Sequence, residues 1–219
     1  MAHSVNEGNE LKLGSYRYAL SKGRPETAIA VKRLELPGYD PRGAYGMALA
    51  YATSTRGGCH LRAYPISHEI LRKPVATDRF TFSGKARIIK LNEDLNAMVD
   101  SLTACKFIFF AASLEEYATM LTAVTGFHIT GLELLQTGER IYYNDRIMNA
   151  VNGFDASHDD LPQRFFTQAG SSGEGIEIKP LDRNDFLQAR SNYYKIRGLD
   201  ENGMPLQLKC DELGLEWKT

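Results

Sequence analysis

Cysteine, net charge and long hydrophobic runs are all scarce in this chain of 219 residues. Its three cysteines are widely spaced and odd in number, which argues against a disulfide framework and fits a reducing compartment. The 26 basic and 27 acidic residues leave a net charge of −1, so no overall field attracts nucleic acid or an anionic membrane. We therefore expect neither nucleic acid nor a membrane among its partners.

The longest apolar run, residues 107–112, is too short for a membrane helix, which needs about 20 residues. Residues 1–10 have no hydrophobic core of a signal peptide. These observations predict a cytoplasmic protein. At 43% hydrophobic residues, the chain is long enough for one sizeable core or two small ones.

Periodicity predicts a mainly α fold, a compact multi-helix bundle with one short extended segment at residues 28–36. Ser113 with Glu116, and Thr130 with Glu133, form capping-box patterns, each of which opens a helix. In the segment 84–105, apolar residues recur every three or four positions, so Glu93 and Asp94 are expected on the solvent side. Further helices are predicted over residues 11–22, 41–54, 182–196 and 206–213.

The segment 39–60 is the most informative part of the chain, and it has the character of an active-site wall. Its helix is rich in glycine and alanine, which allows close packing against a bulky partner. Gly57 and Gly58 then permit close approach of the main chain to a ligand, and they would set Cys59 and His60 at the mouth of the site. The pattern favours a large, anionic or planar partner.

Several motifs give the chain a family resemblance. They are Leu-Glu-Leu-Pro at 34–37, Tyr-Asp-Pro-Arg-Gly at 39–43, Arg-Gly-Gly-Cys-His at 56–60, Asp-Ser-Leu-Thr-Ala-Cys at 100–105, Leu-Pro-Gln-Arg-Phe at 161–165 and Tyr-Tyr-Lys-Ile-Arg-Gly at 193–198. In this order they resemble the C-terminal region of the tungsten-dependent aldehyde ferredoxin oxidoreductases. The resemblance implies that residues 1–38 are the tail of a preceding helical domain and that 39–219 form a C-terminal helical domain. The family's N-terminal β domain and its Cys-x-x-Cys-x-x-x-Cys region have no counterpart here.

The resemblance implies cofactors and roles for individual residues. Cys105 would supply the fourth thiolate of a 4Fe-4S cluster, while Asp100 would accept hydrogen bonds from a bis-molybdopterin that holds tungsten or molybdenum. Thr103 stands where the family has glycine, which would alter the backbone approach to the pterin. His60 would lie near the metal and relay protons. The other implied cofactor-binding residues are Asp40, Arg42, Arg56, Gly57 and Gly58.

Each of these residues also has an ordinary structural interpretation. Cys105 fits a buried free thiol, Asp100 a solvated helix carboxylate, and His60 a donor at a helix end. Asp40 and Arg42 belong to a common turn composition, in which Arg42 either bridges helices or holds a cofactor phosphate. Cys59 is not expected to be a ligand, because the family cluster has four thiolates without it, and Cys210 is expected to be inert.

The resemblance implies an enzyme that oxidises aldehydes to carboxylic acids and passes electrons through the cluster to ferredoxin. The isolated chain is expected to be inactive, because the absent N-terminal domains, or a partner subunit, hold most of the cofactor contacts. Two alternatives remain open. One is a non-catalytic helical partner domain, from a split or truncated gene, that docks on another subunit; the other is a helical binding module that shares only ancestry with the family.

Overall fold

The computed structural model describes residues 5–217. Within that range the chain forms ten α-helices and one two-stranded antiparallel hairpin. The elements are α1 (Gly8–Leu11), α2 (Ser15–Ser21), β1 (Ala30–Val31), β2 (Leu34–Glu35), α3 (Tyr45–Thr53), α4 (Ile66–Glu69), α5 (Lys85–Ser101), α6 (Leu114–Thr125), α7 (Gly131–Val151), α8 (Arg164–Thr167), α9 (Arg183–Arg197) and α10 (Gln207–Leu213). The predicted mainly α bundle is confirmed.

The N-terminal segment differs from the single helix predicted over residues 11–22. It forms the two short helices α1 and α2, because Gly14 between them takes a φ of +85° that a continuing helix excludes. The extended segment is also more than one strand. Lys32 and Arg33 both adopt positive φ, which matches the tight turn of a two-residue hairpin and folds β1 back onto β2.

The predicted helix over 41–54 begins later than expected. Residues Pro41–Gly43 form a 3₁₀ turn, capped by the side chain of Asp40, and the α-helix α3 starts at Tyr45. From Gly46 to Thr53 every residue of α3 is buried. The small side chains therefore allow neighbouring elements of this chain to approach the helix closely, so the residues expected to pack against a bulky partner are covered by the protein's own core.

Helices α5 and α7 cross at the centre of the molecule. A Cβ atom placed on Gly138 of α7 would lie 2.0 Å from the backbone oxygen of Asp94 on α5. Glycine costs about 1 kcal/mol in a helix interior relative to alanine, and here it allows two backbones to touch. Helix α9 packs on the same side of α5 and contributes the buried residues Ala189 and Tyr193 to the main core.

The solvent-facing position predicted for Glu93 and Asp94 is wrong, because both side chains are fully buried. Two nitrogens of the buried Arg197, on α9, donate to the two carboxylates. Tyr142 and Tyr193 each donate a hydrogen bond of 2.7 Å to Glu93. Periodicity failed here because a charged residue with a buried partner of opposite charge belongs to the core.

Both predicted capping boxes are present. Ser113 and Thr130 accept hydrogen bonds from the backbone of Glu116 and Glu133, and the two glutamates return the bond to the backbone of the capping residues. Leu132 and Met148 are more than half exposed, whereas the buried face carries Leu134, Tyr142, Tyr143 and Ile147.

The C-terminal helices form close to where they were predicted, as α9 and α10. The side chain of Asp182 caps α9 by accepting from the backbone of Asn184 and Asp185. Between α7 and α9, residues 152–182 contain the single helical turn α8. Across residues 5–217, no helix combines the length and apolar character that crossing a membrane requires.

Candidate functional site

Asp100, at the end of α5, is held by two cations. One of its oxygens lies 2.8 Å from the ammonium nitrogen of Lys106, and the other lies 3.8 Å from Arg62. Burial lowers the pKa of Lys106, and the neighbouring charges of Arg62 and Arg56 act in the same direction, although Asp100 opposes them. Since the Asp100 side chain is itself 36% exposed, it is a carboxylate in a fixed position that remains open to a partner.

Arg62 links this carboxylate to the body of the helical bundle. A second nitrogen of its guanidinium lies 2.5 Å from Asp145 of α7, which also accepts a hydrogen bond from Thr55. The remaining side-chain nitrogen, Nε, is buried and has no hydrogen-bond partner within residues 5–217. The loop that follows His60 is thus joined to the end of α5 and to the middle of α7 by the ion pairs of Arg62.

Cys105 follows α5 directly and is exposed. The chain turns there because Thr103 adopts a φ of +52°, and the amides of Thr103 and Ala104 donate to carbonyls in the last turn of α5. Left-handed backbone is unfavourable for a β-branched residue and natural for glycine. This conformation gives a physical reason why glycine suits the position now held by Thr103.

His60 belongs to a group of aromatic rings. Its ring lies 5.6 Å from that of Tyr39 and 6.1 Å from that of Tyr64, measured between centroids. Tyr64 in turn contacts Phe107 and Phe110, in the 3₁₀ turn just after Cys105. The histidine loop and the cysteine turn therefore meet through Tyr64. Burial lowers the pKa of His60, and neither ring nitrogen has a hydrogen-bond partner within the described residues.

The glycine pair has a structural role that the sequence did not reveal. A Cβ atom on Gly57 would lie 2.6 Å from the backbone oxygen of Val31, and one on Gly58 would lie 2.6 Å from that of Leu34. The close approach that these glycines permit is therefore to the β1–β2 hairpin. Cys59 beside them is buried, which corrects the expectation that it would stand at the mouth of the site.

Arg56 and Arg42 are two predicted cofactor contacts that differ in how many of their hydrogen-bond donors are used within the chain. Arg56 is exposed, and its guanidinium donates to the Cys59 sulfur at 3.7 Å. Arg42 instead donates to both oxygens of Asp40 and to the backbone oxygens of Gln168 and Ala169. With four of its five donors engaged, Arg42 bridges two loops, whereas the structural interpretation of its motif expected a bridge between helices.

The Asp40 carboxylate is likewise occupied by contacts within the chain, because both of its oxygens accept hydrogen bonds from Arg42. Burial raises its pKa, but the hydrogen bonds and positive charge of Arg42 outweigh burial and leave the pKa below its ordinary value. Asp40 and Arg42 therefore form an ionised pair that secures the start of α3. Their contacts are all within the chain, whereas Asp100, Cys105 and His60 each present open polar atoms.

Sequence reasoning missed three residues of this site, namely Arg62, Lys106 and Tyr64. All three lie within five residues of a predicted site residue, so an inspection of flanking charges and aromatic rings would have found them. In the described range, 5–217, no group of three or more histidine, cysteine, aspartate or glutamate side chains could hold a metal ion. The donor set that these residues supply is thus one exposed thiol, one oriented carboxylate and one imidazole.

Comparison with known proteins identifies the family. The sequence model for domains 2 and 3 of aldehyde ferredoxin oxidoreductase matches residues 1–215. A tungsten-containing aldehyde ferredoxin oxidoreductase of Pyrococcus furiosus is 40% identical over 95% of this chain, and that of Thermococcus kodakarensis is 38% identical over 98%. The chain covers 34% and 35% of these two relatives, so it spans about a third of their length.

Two further matches are more distant. The WOR-like subunit of an aliphatic sulfonate oxidoreductase from Pyrococcus furiosus is 28% identical over 95% of the chain and 32% of that protein. Among solved structures, the active site complex BamBC of benzoyl coenzyme A reductase, in complex with 1,5-dienoyl-CoA, has the same fold. Its TM-score is 0.68 at 15% identity, covering 97% of this chain and 37% of that one. The chain belongs to the aldehyde ferredoxin oxidoreductase family and matches the model of domains 2 and 3 of its members.

Proposed function

We propose that this chain forms one wall of the active site of a tungstopterin aldehyde:ferredoxin oxidoreductase. The observation that carries the proposal is the junction of the His60 loop with the turn after Cys105, made by Tyr64 against Phe107. Together with Asp100, these residues bring an open imidazole, an exposed thiol and an oriented carboxylate to neighbouring elements. The net reaction converts an aldehyde and water into a carboxylic acid, two protons and two electrons.

The residues of this chain fit only a part of the cofactor set. A 4Fe-4S cluster takes four thiolates, and Cys105 is the one exposed cysteine among the described residues. Its fit as a ligand rests on that exposure and on its position after a tight turn. The other three thiolates would come from the remaining part of the enzyme, since the chain spans about a third of its relatives. The isolated chain would then hold no cluster.

Asp100 would orient the pterin. A carboxylate offers two acceptor oxygens to a planar array of N–H donors, and the contacts with Lys106 and Arg62 fix the direction of those oxygens. The two cations, with Arg56 nearby, also provide positive charge for an anionic cofactor. The backbone at Thr103, whose amide donates to the Asp100 carbonyl, would form part of the surface that receives the pterin.

His60 would transfer protons during aldehyde oxidation. When bound, the tungsten centre and the cluster would supply the oxidation and electron-transfer chemistry. Burial lowers the pKa of His60 and so favours the neutral imidazole, whose open ring nitrogen can accept a proton released from the substrate and water. Tyr39 and Tyr64 exclude water from one side of the ring and restrict its orientation.

The proposal also assigns the domain organisation of this chain and the compartment in which the enzyme acts. Residues 1–38 would form the tail of a preceding helical domain, and residues 39–219 the C-terminal domain. The enzyme would act in the cytoplasm, where ferredoxin accepts its electrons and where free thiols such as Cys105 stay reduced.

The test uses the full-length enzyme, produced anaerobically with tungstate. We expect Cys105→Ser to lower the iron content or to shift the cluster potential, because serine is a poorer cluster ligand. His60→Asn should retain iron and tungsten but lower turnover by about 10²-fold or more, the usual scale of acid–base assistance. Cys59→Ser and Cys210→Ser are matched controls that should leave the iron content unchanged.

Two outcomes would contradict these assignments. Full activity of His60→Asn at all pH values would remove His60 from the reaction, and iron loss in Cys59→Ser would mean that the wrong cysteine is assigned.

A further inference from the structure

The last turn of α3 is closed by side chains from distant parts of the chain. The last four carbonyl groups of an α-helix have no partner within the helix. Lys32, in the turn of the hairpin, donates a hydrogen bond of 2.7 Å to the carbonyl oxygen of Ala52. Arg146 of α7 donates one of 3.4 Å to the carbonyl oxygen of Thr53. Two cations therefore lie at the carboxyl end of α3, where the helix dipole favours positive charge.

Both cations are buried and share one carboxylate. The ammonium nitrogen of Lys32 lies 2.6 Å from an oxygen of Asp159, and the two side chains are 3% and 1% exposed. Arg146 donates hydrogen bonds of 2.8 and 3.1 Å to the same carboxylate. Burial lowers the pKa of Lys32 despite the opposing charge of Asp159. Because two cations face one carboxylate, the carbonyl dipoles at the end of α3 are needed to balance the remaining positive charge.

The hairpin contacts the chain again shortly before His60. The Gly58 amide donates a hydrogen bond of 3.2 Å to the backbone oxygen of Val31. Between the two hairpin contacts, Asn149 of α7 donates a hydrogen bond of 2.9 Å to the backbone oxygen of Thr55. The segment between α3 and His60 is therefore fixed at its start, its middle and its end.

Local turn chemistry does not account for a lysine at position 32. The residue has a φ of +49°, and two-residue hairpins with positive φ favour asparagine, aspartate or glycine there. The side chain of Lys32 instead reaches inward to Asp159 and to the end of α3. The lysine is therefore explained by the groups that its ammonium binds rather than by the turn that carries it.

We propose that Lys32 and Asn149 are positioning residues for His60. They act through the backbone of residues 52–58, whose first half they fix while the hairpin backbone holds its end. A displaced segment would change the contact of the His60 ring with Tyr39, so the ring reports the position of the segment. The inference rests on the proposed function only for its effect on turnover, because the position of His60 is a property of this chain.

The experiment is nuclear magnetic resonance of the 219-residue chain and of its Lys32→Met variant. Methionine has a similar length but neither charge nor donor, and Asp159 keeps Arg146 as its partner, so the variant is expected to fold. We expect the Gly58 amide and the His60 ring signals to shift. The Gly58 amide should exchange with solvent about five- to tenfold faster, as expected for the loss of about one hydrogen bond. Unchanged Gly58 and His60 signals in the folded variant would overturn the proposal.

A second variant tests the proposal even if Lys32→Met fails to fold. Asn149→Ala removes one donor to the segment and should shift the same signals. Asn144→Ala makes the same substitution at an exposed position of α7 and should shift neither. Leu134→Ala opens a cavity in a separate core cluster, so it measures the effect of lower stability alone and should leave these signals in place. Shifts of equal size in Leu134→Ala and Asn149→Ala would overturn the proposal, because they would assign the effect to stability.

The full-length enzyme tests the effect on turnover. Lys32→Met should retain iron and tungsten, while kcat falls by about 10- to 100-fold with little change in KM, because the displaced group acts on proton transfer rather than on substrate binding. Asn144→Ala should keep full activity. Full activity of Lys32→Met, despite shifted His60 signals, would contradict the role of Lys32 in the reaction. Full activity of His60→Asn would instead contradict the proposed function, and the signals of the 219-residue chain would still decide whether Lys32 and Asn149 position His60.

Discussion

The guanidinium of Arg197 lies 2.6 Å from the carboxylate of Glu93, and neither side chain is exposed to solvent. Arg197 comes from α9 and Glu93 from α5, so this ion pair joins helices more than 100 positions apart in the sequence. A second carboxylate, Asp94, contacts the same guanidinium. The contact ties the family-matched segment at 193–198 to the helix that leads to Asp100 and Cys105.

Removal of this cation should strongly destabilise the fold. Arg197→Met leaves two buried carboxylates without their shared partner, and breaking a buried pair in this way costs about 3–5 kcal/mol. The free energy of unfolding, measured by urea denaturation, provides the test. Arg140→Met is the matched control on an exposed position of α7, and it should change stability by less than about 0.5 kcal/mol. A loss below 1 kcal/mol for Arg197→Met would show that water or neighbouring groups compensate the carboxylates.

The two glycines at 57 and 43 should respond differently to alanine. Gly57 has a φ of +98°, and its added Cβ would lie 2.6 Å from the Val31 backbone oxygen, so Gly57→Ala should cost about 1–3 kcal/mol through strain and overpacking. Gly43 has no atom within 4 Å of the added Cβ and no positive φ, so Gly43→Ala should be close to neutral. Thermal or urea unfolding of both variants measures the difference. Similar stability of the two variants would refute the packing role of the hairpin.

Thr103→Gly should stabilise the chain. Thr103 has a φ of +52°, and left-handed backbone costs an L-residue about 1–2 kcal/mol. Glycine avoids this cost, but its greater entropy in the unfolded chain destabilises the fold by about 0.5–1 kcal/mol. A net gain of about 0.5–1 kcal/mol in unfolding free energy is expected. Thr103→Ala serves as the control because it removes the β-branch but retains a Cβ, and it should gain less. Loss of stability in Thr103→Gly would mean that the threonine side chain makes a stabilising contact.

His60 should titrate below the ordinary histidine pKa. Burial lowers its pKa, so the folded chain binds fewer protons at this site than the unfolded chain does below a pH of about 6.5. Neutral His60 therefore contributes its full stabilisation above the pKa of the unfolded chain. This stabilisation is lost as the pH falls from the unfolded pKa to the lower pKa of the folded chain. Nuclear magnetic resonance of the imidazole protons against pH measures the folded value. The signal is assigned by its loss in His60→Asn, and a pKa at or above 6.5 would contradict the burial.

Local patterns in the sequence were sufficient to predict the helices with strong end signals. Ser113 and Thr130 form the predicted capping boxes, and Asp182 begins α9 as expected, because a cap depends only on residues within one turn. Motif order indicated the family, which the match of residues 1–215 confirms. The roles of His60, Asp100 and Cys105 remain predictions.

Only the tertiary structure decided which charges are buried and which apolar residues are not. Glu93 and Asp94 lie in the core because Arg197 and two tyrosines meet them there, and such partners are distant in sequence. Gly57 and Gly58 are likewise required because the backbone of the β1–β2 hairpin leaves no space for a Cβ atom at either position. Periodicity assigns a face by polarity alone, whereas the free energy of a buried charge depends on its partners. For that reason the sequence alone determined most of the longer helices and the family, while chain packing determined the burial of Glu93 and the contacts of Asp100.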